Sequence, residues 1–293
     1  MKKGQLGSYD IMVVSKYFET IEDFIHVELA STKARGNMEK FHFNPIPLDS
    51  WSRQFWTSLQ TFHLYSENDE KFDDEEFYKR IIHCDVDYQD WLKKKDNDNV
   101  IYKSVVLNDT YAKSVESIPE GVTKIGKECF SYRTLNEMVI PDHVTSIDDY
   151  CYESSNKLSV IRFSDKLREI GSSFMKYNNL IKEIVLPDSV TSIGGFFLES
   201  CRNLTAMTIP THWNQVGDKF VNNRPFFSMF EIPSSVETIN GKEVVIEEVK
   251  EFDIPSYVTK LVNGCFRGSN FTKITIPTTI KELPNGCFYE CHK

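Results

Sequence analysis

Proline returns at one fixed place in a repeated phrase, and that regularity limits what this chain can fold into. Taking Pro210 as an anchor, equivalent positions are Pro119, Pro141, Ser164, Pro187, Pro233, Pro255 and Pro277, spaced 22 or 23 residues apart. Apolar columns run alongside. Six, three and one residues before the anchor stand Leu158, Ile161 and Phe163 in one repeat and Leu204, Met207 and Ile209 in another, with the same columns running from Leu135 to Ile276. Three and six residues after it stand Val122 and Ile125, Val144 and Ile147, Leu167 and Ile170, and so on to Ile280 and Leu283. The pattern before the anchor is L-x-x-L-x-L. Its last two apolar residues share one face of a strand, because side chains alternate along a strand. Proline lacks the N–H that a ladder needs, so it ends the strand.

A unit of 22 residues cannot bury its own apolar side chains, but copies stacked about 4.8 Å apart can. The expectation is an α/β repeat solenoid: right-handed, with parallel strands on one face, loops or short helices on the other, and about 22–23 residues per turn. Seven residues after the anchor stand Gly126, Asp148, Gly171, Gly194, Gly217 and Asn240. These residues tolerate left-handed backbone, so a left-handed turn is expected there. The last two repeats carry Asn263–Gly264 and Asn285–Gly286 instead. Cys129, Cys151, Cys265 and Cys287 share one column, and Cys201 and Cys291 another. Cysteine in fixed repeat columns reads as a small buried hydrophobe.

The phrase L-x-x-I-x-I-P-x-x-V-T-x-I-G-x-x-C-F closely resembles the BspA-like leucine-rich repeat. Ile118 to Phe130 (IPEGVTKIGKECF) and Ile140 to Ile147 (IPDHVTSI) carry the resemblance best. It covers about 110–293. It implies an interaction protein, of a kind found in bacteria and parasitic protists, rather than an enzyme; some members are surface adhesins.

Three segments follow: a helical N-terminal cap over 1–50, irregular repeats over 51–110, and eight regular repeats over 111–293. In the cap, Tyr9 to Phe18 and Ile21 to Ala30 read as helices, with Thr20 and Asp23 capping the second. Residues 6–37 also resemble an F-box faintly, through Leu6, Ile11, Val14, Phe18 and Asp23 to Leu29, although Gly7 and Ala34 depart from its pattern. That resemblance implies an adaptor of a ubiquitin ligase. In 51–110 the damaged repeat reads as Leu59, Phe62 and Leu64, then Ile81, Cys84 and Val86, then Tyr102, Val105 and Leu107. An insertion near 108–116 is expected to interrupt the stacking. The acidic run Glu67 to Glu76 reads as the start of a solvated helix reaching Ile82.

The net charge of −9 argues against nucleic acid as the main partner. The longest N-terminal apolar run, Ile11 to Val14, is too short for a signal-peptide core, and no stretch approaches a membrane span. An odd cysteine count of seven fits a reducing compartment, so a cytoplasmic location is expected and the sequons at Asn108, Asn203 and Asn270 read as accidental. No nucleophile–base set, P-loop or H-E-x-x-H emerges, which points to a chain that is not an enzyme and needs no cofactor. Cys265, Cys287, Cys291 and His292 are a weak zinc alternative, because Cys287 already belongs to its column. His143 and His212 read as solvent-side residues just after the anchor.

Binding is therefore expected on the strand face, two and four residues before the anchor. The partner-facing candidates are Val160, Arg162, Glu183, Val185, Ala206, Thr208, Met229, Glu231, Glu251 and Asp253. The expected partner is a protein. A homodimer through the C-terminal edge strand 271–276 is a second expectation.

Overall fold

The computed structural model of the protein describes residues 6–194, 197–210, 235–243, 251–254, 272–283 and 285–289, with Phe266 and Cys291. It divides into two compact units, 1–105 and 106–293.

The first unit opens with α1 (Ser8–Ser15) and α2 (Ile21–Ala30). The Thr20 hydroxyl accepts from Asp23 N–H at 3.3 Å, and the Asp23 carboxylate accepts from Thr20 N–H at 3.0 Å, the expected reciprocal cap. Those bonds to Thr20 hold the Asp23 carboxyl below its usual range. On α2, Phe24 is fully buried and meets Phe18, Phe41 and Trp56 edge to face, with ring centroids 5.0–5.8 Å apart. These rings share a core with Phe62, Leu64 and Phe72. By contrast α1 buries only Ser15, whose hydroxyl accepts from Asn37 Nδ2 at 2.8 Å.

The strands of this unit are β1 (Thr61–Leu64) and β2 (Lys79–Asp87), then α3 (Tyr88–Lys94) and β3 (Val100–Leu107). β1 and β2 pair in parallel with Leu64 opposite Ile82. The sequence columns placed Leu64 opposite Val86, four residues further on. β2 is nine residues long and carries apolar residues on both faces, at Ile81 and at Ile82, so more than one apolar triple fits the strand. The acidic run is not a helix. Arg80 reaches back from β2 and donates to the carbonyls of Lys71, Phe72 and Glu75 at 2.6–2.9 Å, which holds 67–78 as turns.

The second unit contains α4 (Asp109–Ala112), then β4 (Lys124–Ile125), β5 (Glu137–Val139), β6 (Ser146–Ile147), β7 (Val160–Arg162) and β8 (Glu169–Ile170). It continues with β9 (Glu183–Val185), β10 (Ser192–Ile193), β11 (Ala206–Thr208), β12 (Thr238–Ile239), β13 (Lys242–Glu243), β14 (Glu251–Asp253) and β15 (Lys273–Thr275). The coils stack as expected, with one difference: the coils of Pro141, Ser164 and Pro187 each contribute two strands. β5, β7, β9 and β11 lie before the anchors. β5 pairs with β7 and β9 with β11, in parallel, with Met138 opposite Ile161 and Ile184 opposite Met207. β4, β6, β8 and β10 lie five and six residues after the anchors and form a second parallel row, joining Ile125, Ile147, Ile170 and Ile193. Between the two rows the anchor turns the chain. Its carbonyl accepts the N–H three residues on at Pro119, Pro141, Ser164, Pro187 and Pro277.

The segment 108–116 holds α4 without breaking the ladder, because Val106 and Leu107 pair with Lys124 and Ile125 in the second row. One pair departs from parallel order. β12 runs antiparallel to β13 through Asn240 and Gly241, both at positive φ, and also pairs with β11.

From the Pro119 coil to the Pro187 coil the apolar columns point inward, whereas Ile276 and Leu283 of the last coil are exposed. Leu158, Ile181 and Leu204 are fully buried, as are Val122, Ile125, Val144, Leu167 and Val190. The glycine column has a different cause from the one expected. Asn240, at φ 51, and Gly286, at φ 64, take the expected left-handed turn, but Gly126, Gly171 and Gly194 do not have positive φ. A Cβ on Gly126 would sit 2.7 Å from the Leu107 carbonyl oxygen in the preceding coil. The left-handed positions come later, at Glu128, Tyr150 and Ser173 and again at Tyr132, Ser154, Tyr177 and Ser200. The inter-coil glue is also more polar than the sequence suggested. Ser155, Asn178, Cys201 and Cys291 share one column, and each donates to the carbonyl of Phe130, Tyr152, Met175 or Phe266 in the coil before it. The other cysteine column behaves likewise: Cys129 Sγ donates to Leu107 O at 2.7 Å and Cys151 Sγ to Gly126 O at 2.9 Å. Burial pushes the Cys129 thiol up to about 12 and Cys201 up to about 11, so both remain thiols.

Candidate interaction surface

Inward residues three and one before the anchor force their neighbours, at four and two before it, to point out. This places the sequence-derived candidates as follows. Val160 and Arg162 are exposed on β7, Glu183 and Val185 are exposed on β9, and Ala206 and Thr208 are half-buried on β11. Glu251 and Asp253 are exposed on β14, opposite Lys273 and Thr275 of β15. Met229 and Glu231 lie outside the described residues.

Within this face β7 carries Val160 opposite Glu137 and Arg162 opposite Val139. β9 lies against β7, and places Glu183 opposite Ala206 and Val185 opposite Thr208. Val139, Val160 and Val185 are 51%, 38% and 50% exposed, so three valines stand in solvent on consecutive strands. Charges flank them: Arg162 faces Glu137 at 4.0 Å, and Lys273 faces Glu251 at 3.5 Å on the later pair. Both pairs are exposed and add little to stability. The surface can offer shallow apolar contact bounded by charge.

In the first unit an open cleft of about 1340 Å³ has a floor of Phe62, Leu64, Ile82 and Tyr102 and a rim rich in Asp, including Asp85, Asp87 and Asp96. Among the described residues no three of His, Cys, Asp and Glu gather as a metal site would. His143, read as solvent-side, bonds the Pro119 carbonyl at 3.0 Å, while His212 lies outside the described residues. So do Cys265 and His292 of the zinc alternative; buried Cys287 and half-buried Cys291 belong to their columns. Sequence reading missed one cluster, His63, Tyr65 and His83. The four-residue register error hid it, because that register sets His83 opposite Thr61, whereas the true one lets the Tyr65 and His83 rings stack beside His63.

The cluster has a pH signature. Burial first, then His83 and Lys103, push His63 down to about 4, against 6.5 for a free imidazole. The unfolded chain then binds more protons between these values, so stability should fall as pH drops from 6.5 towards 4. A denaturation series over that window checks this, and His63→Gln should flatten its share of the slope.

No membrane-crossing helix occurs among the described residues. No curated protein matches the sequence. Among solved structures the chain is similar to a leucine-rich repeat protein from Eubacterium ventriosum, at 22% identity over 69% of this chain and 54% of that one, with a TM-score of 0.34. It is similar to a leucine rich cell surface protein from Faecalibacterium prausnitzii, at 18% identity over 71% and 68%, TM-score 0.32. A third is the pneumococcal vaccine antigen PcpA, at 13% identity over 79% and 52%, TM-score 0.36. The chain thus spans only about half the length of the first and third. Six copies of the BspA type leucine rich repeat region match residues 123–244 and 173–293, well over half of the sequence. With the stacked coils and their proline-ended strands, that match makes this chain a member of the BspA-type leucine-rich-repeat family.

Proposed function

We propose that the chain is a non-catalytic docking module that binds a protein partner on the strand face of its repeats. The observation that carries this reading is the run of exposed valines, Val139, Val160 and Val185, on consecutive parallel strands with charged neighbours. Arg162 and Glu137 stand between the valines, so the face mixes apolar contact with charge, and arginine is enriched at protein interfaces. Val160, Arg162, Glu183, Val185, Ala206 and Thr208 form its centre, and the sequence columns extend it through Met229 and Glu231 to Glu251 and Asp253. The compartment we assign is the cytoplasm, and a homodimer through β15 is a further contact in this reading.

The test uses the full chain as bait. Val160→Asp with Val185→Asp should cut recovery of the partner at least about tenfold, as loss of an interface centre does. The melting temperature should hold, because exposed substitutions cost within about 0.5 kcal/mol each. Charge reversal at Glu251 and Asp253 should weaken recovery less. Unchanged recovery in the valine variant moves the site off this face.

A second reading has its own observation. Leu6, Tyr9, Val14, Tyr17 and Leu29 are all exposed, so residues 6–30 leave several large apolar side chains uncovered. That supports a docking role for residues 6–30, of the F-box adaptor type. Val14→Asp with Leu29→Asp would then abolish capture of a ubiquitin-ligase linker protein, and the strand-face variant would not. An adhesin role predicts instead that protease treatment of intact cells removes the protein.

A further inference from the structure

The outer side of β1 and β2 carries a group of side chains that docking on the repeats does not use. His63 Nδ1 lies 3.2 Å from His83 Nε2 and 3.4 Å from Tyr65 Oη. The Tyr65 ring stacks on His83, with centroids 4.9 Å apart at 12°, and Phe43 stacks on His63 at 5.2 Å. Asn44 fixes the strand beneath them. Its Oδ1 accepts from the His63 N–H at 2.7 Å, and its Nδ2 donates to the His63 carbonyl at 2.7 Å. The Tyr65 hydroxyl donates to the Asn44 carbonyl at 2.8 Å. Asn44 thus anchors His63 and Tyr65, and the Tyr65 ring in turn packs flat against His83, so the three donor atoms sit together as one cluster.

We propose that His63 and His83, with Tyr65 at a third corner, form a binding site for a borderline-soft divalent metal ion of the zinc or copper class. Two imidazole nitrogens on one tetrahedral zinc, each at 2.0–2.1 Å, stand about 3.3 Å apart. The separation here is 3.2 Å. Without metal that distance is an N–H···N hydrogen bond. With metal, the proton on the donating nitrogen shifts to the other nitrogen of the same ring, and both lone pairs face the ion. Imidazole donors select zinc, copper or nickel over magnesium and calcium.

Three charges bear on the site. Ligation requires neutral imidazoles, and burial, with Lys103 nearby, favours the neutral form of both histidines. Lys103 also opposes a cation. Asp69 offsets it: its carboxylate accepts from the N–H groups of Tyr65 and Ser66 at 2.8 and 2.9 Å. Burial and Asp69 push the Tyr65 phenol up to about 12, so it enters as a weak, neutral ligand and the imidazoles supply the affinity. With water in the remaining positions, this is an open, exchangeable site and not a closed structural centre.

The full chain, stripped with chelator and titrated with zinc near neutral pH, should bind one ion per chain in equilibrium dialysis. His63→Gln and His83→Gln should each weaken binding at least about tenfold and leave the fold intact without metal. Cobalt in place of zinc should give ligand-field bands with no thiolate-to-metal band. Absence of saturable binding, unchanged affinity in both variants, or a thiolate band placing the ion on cysteine would each overturn the proposal.

Discussion

Gly171→Ala should destabilise the unit 106–293 by about 3 kcal/mol, near the upper end for forced overpacking. For a unit of this size that lowers Tm by roughly 6–12 °C. The Cβ would lie 2.5 Å from the Asp149 backbone nitrogen and closer still to the Asp148 carbonyl carbon, both in the coil below. Neither atom can move alone, because the Gly171 N–H donates to the Ile147 carbonyl at 2.7 Å and ties the two coils together. Relief requires separating the coils, and separation exposes Ile147 and Ile170. A change of opposite sign isolates the cause. Glu128 is exposed and sits at φ 62, so Glu128→Gly should stabilise by about 1 kcal/mol by removing left-handed strain. If the glycine column served left-handed turns, Gly171→Ala would cost only that strain, about 1 kcal/mol, and Glu128→Gly would gain nothing. Thermal melts of the two variants separate these accounts.

This contrast also shows what the sequence reveals and what it hides. Columns of large apolar residues were readable because burial demands the same property in every coil; Met138, Ile161, Ile184 and Met207 occupy their columns as expected. The second row of strands was not readable. Pairs such as Ser146–Ile147 are too short to display alternation, and only hydrogen bonds to the next coil define them. Left-handed positions were hidden because Glu128, Tyr150 and Ser173 give no compositional signal; only Gly286, at the same column with φ 64, hints at them. In 51–110 the apolar pattern fixed the strands but not their register, and the candidate metal ligands fell in that gap. Docking residues stand between these cases. Period two makes Val160 and Val185 point outward, yet nothing in a single sequence distinguishes a partnered valine from a bare one.

The other large effect lies inside the coils. Phe174→Ala should cost about 3–5 kcal/mol, the range for truncating a buried aromatic. Phe174 is fully buried between Tyr152, edge to face at 5.1 Å, and Phe197, stacked at 5.6 Å. The Tyr152 ring stacks in turn on Phe130 at 5.1 Å, so one column of rings crosses four coils. A coil touches only its neighbours, which confines the damage. Hydrogen exchange should rise most at amides that bridge adjacent coils here, such as Tyr152 N–H to Phe174 O and Met175 N–H to Phe197 O. The adjacent ring predicts the opposite outcome. Tyr152 Oη is buried with no hydrogen-bond partner, and burial holds the phenol far above its usual range. Tyr152→Phe removes an unsatisfied hydroxyl while keeping the ring, and should gain about 1 kcal/mol. Two substitutions on touching rings, one destabilising and one stabilising, would show that ring packing carries this column and that the hydroxyl weakens it. A loss on Tyr152→Phe would mean that the hydroxyl is satisfied after all, and a uniform rise in exchange across the unit would show that its coils unfold together.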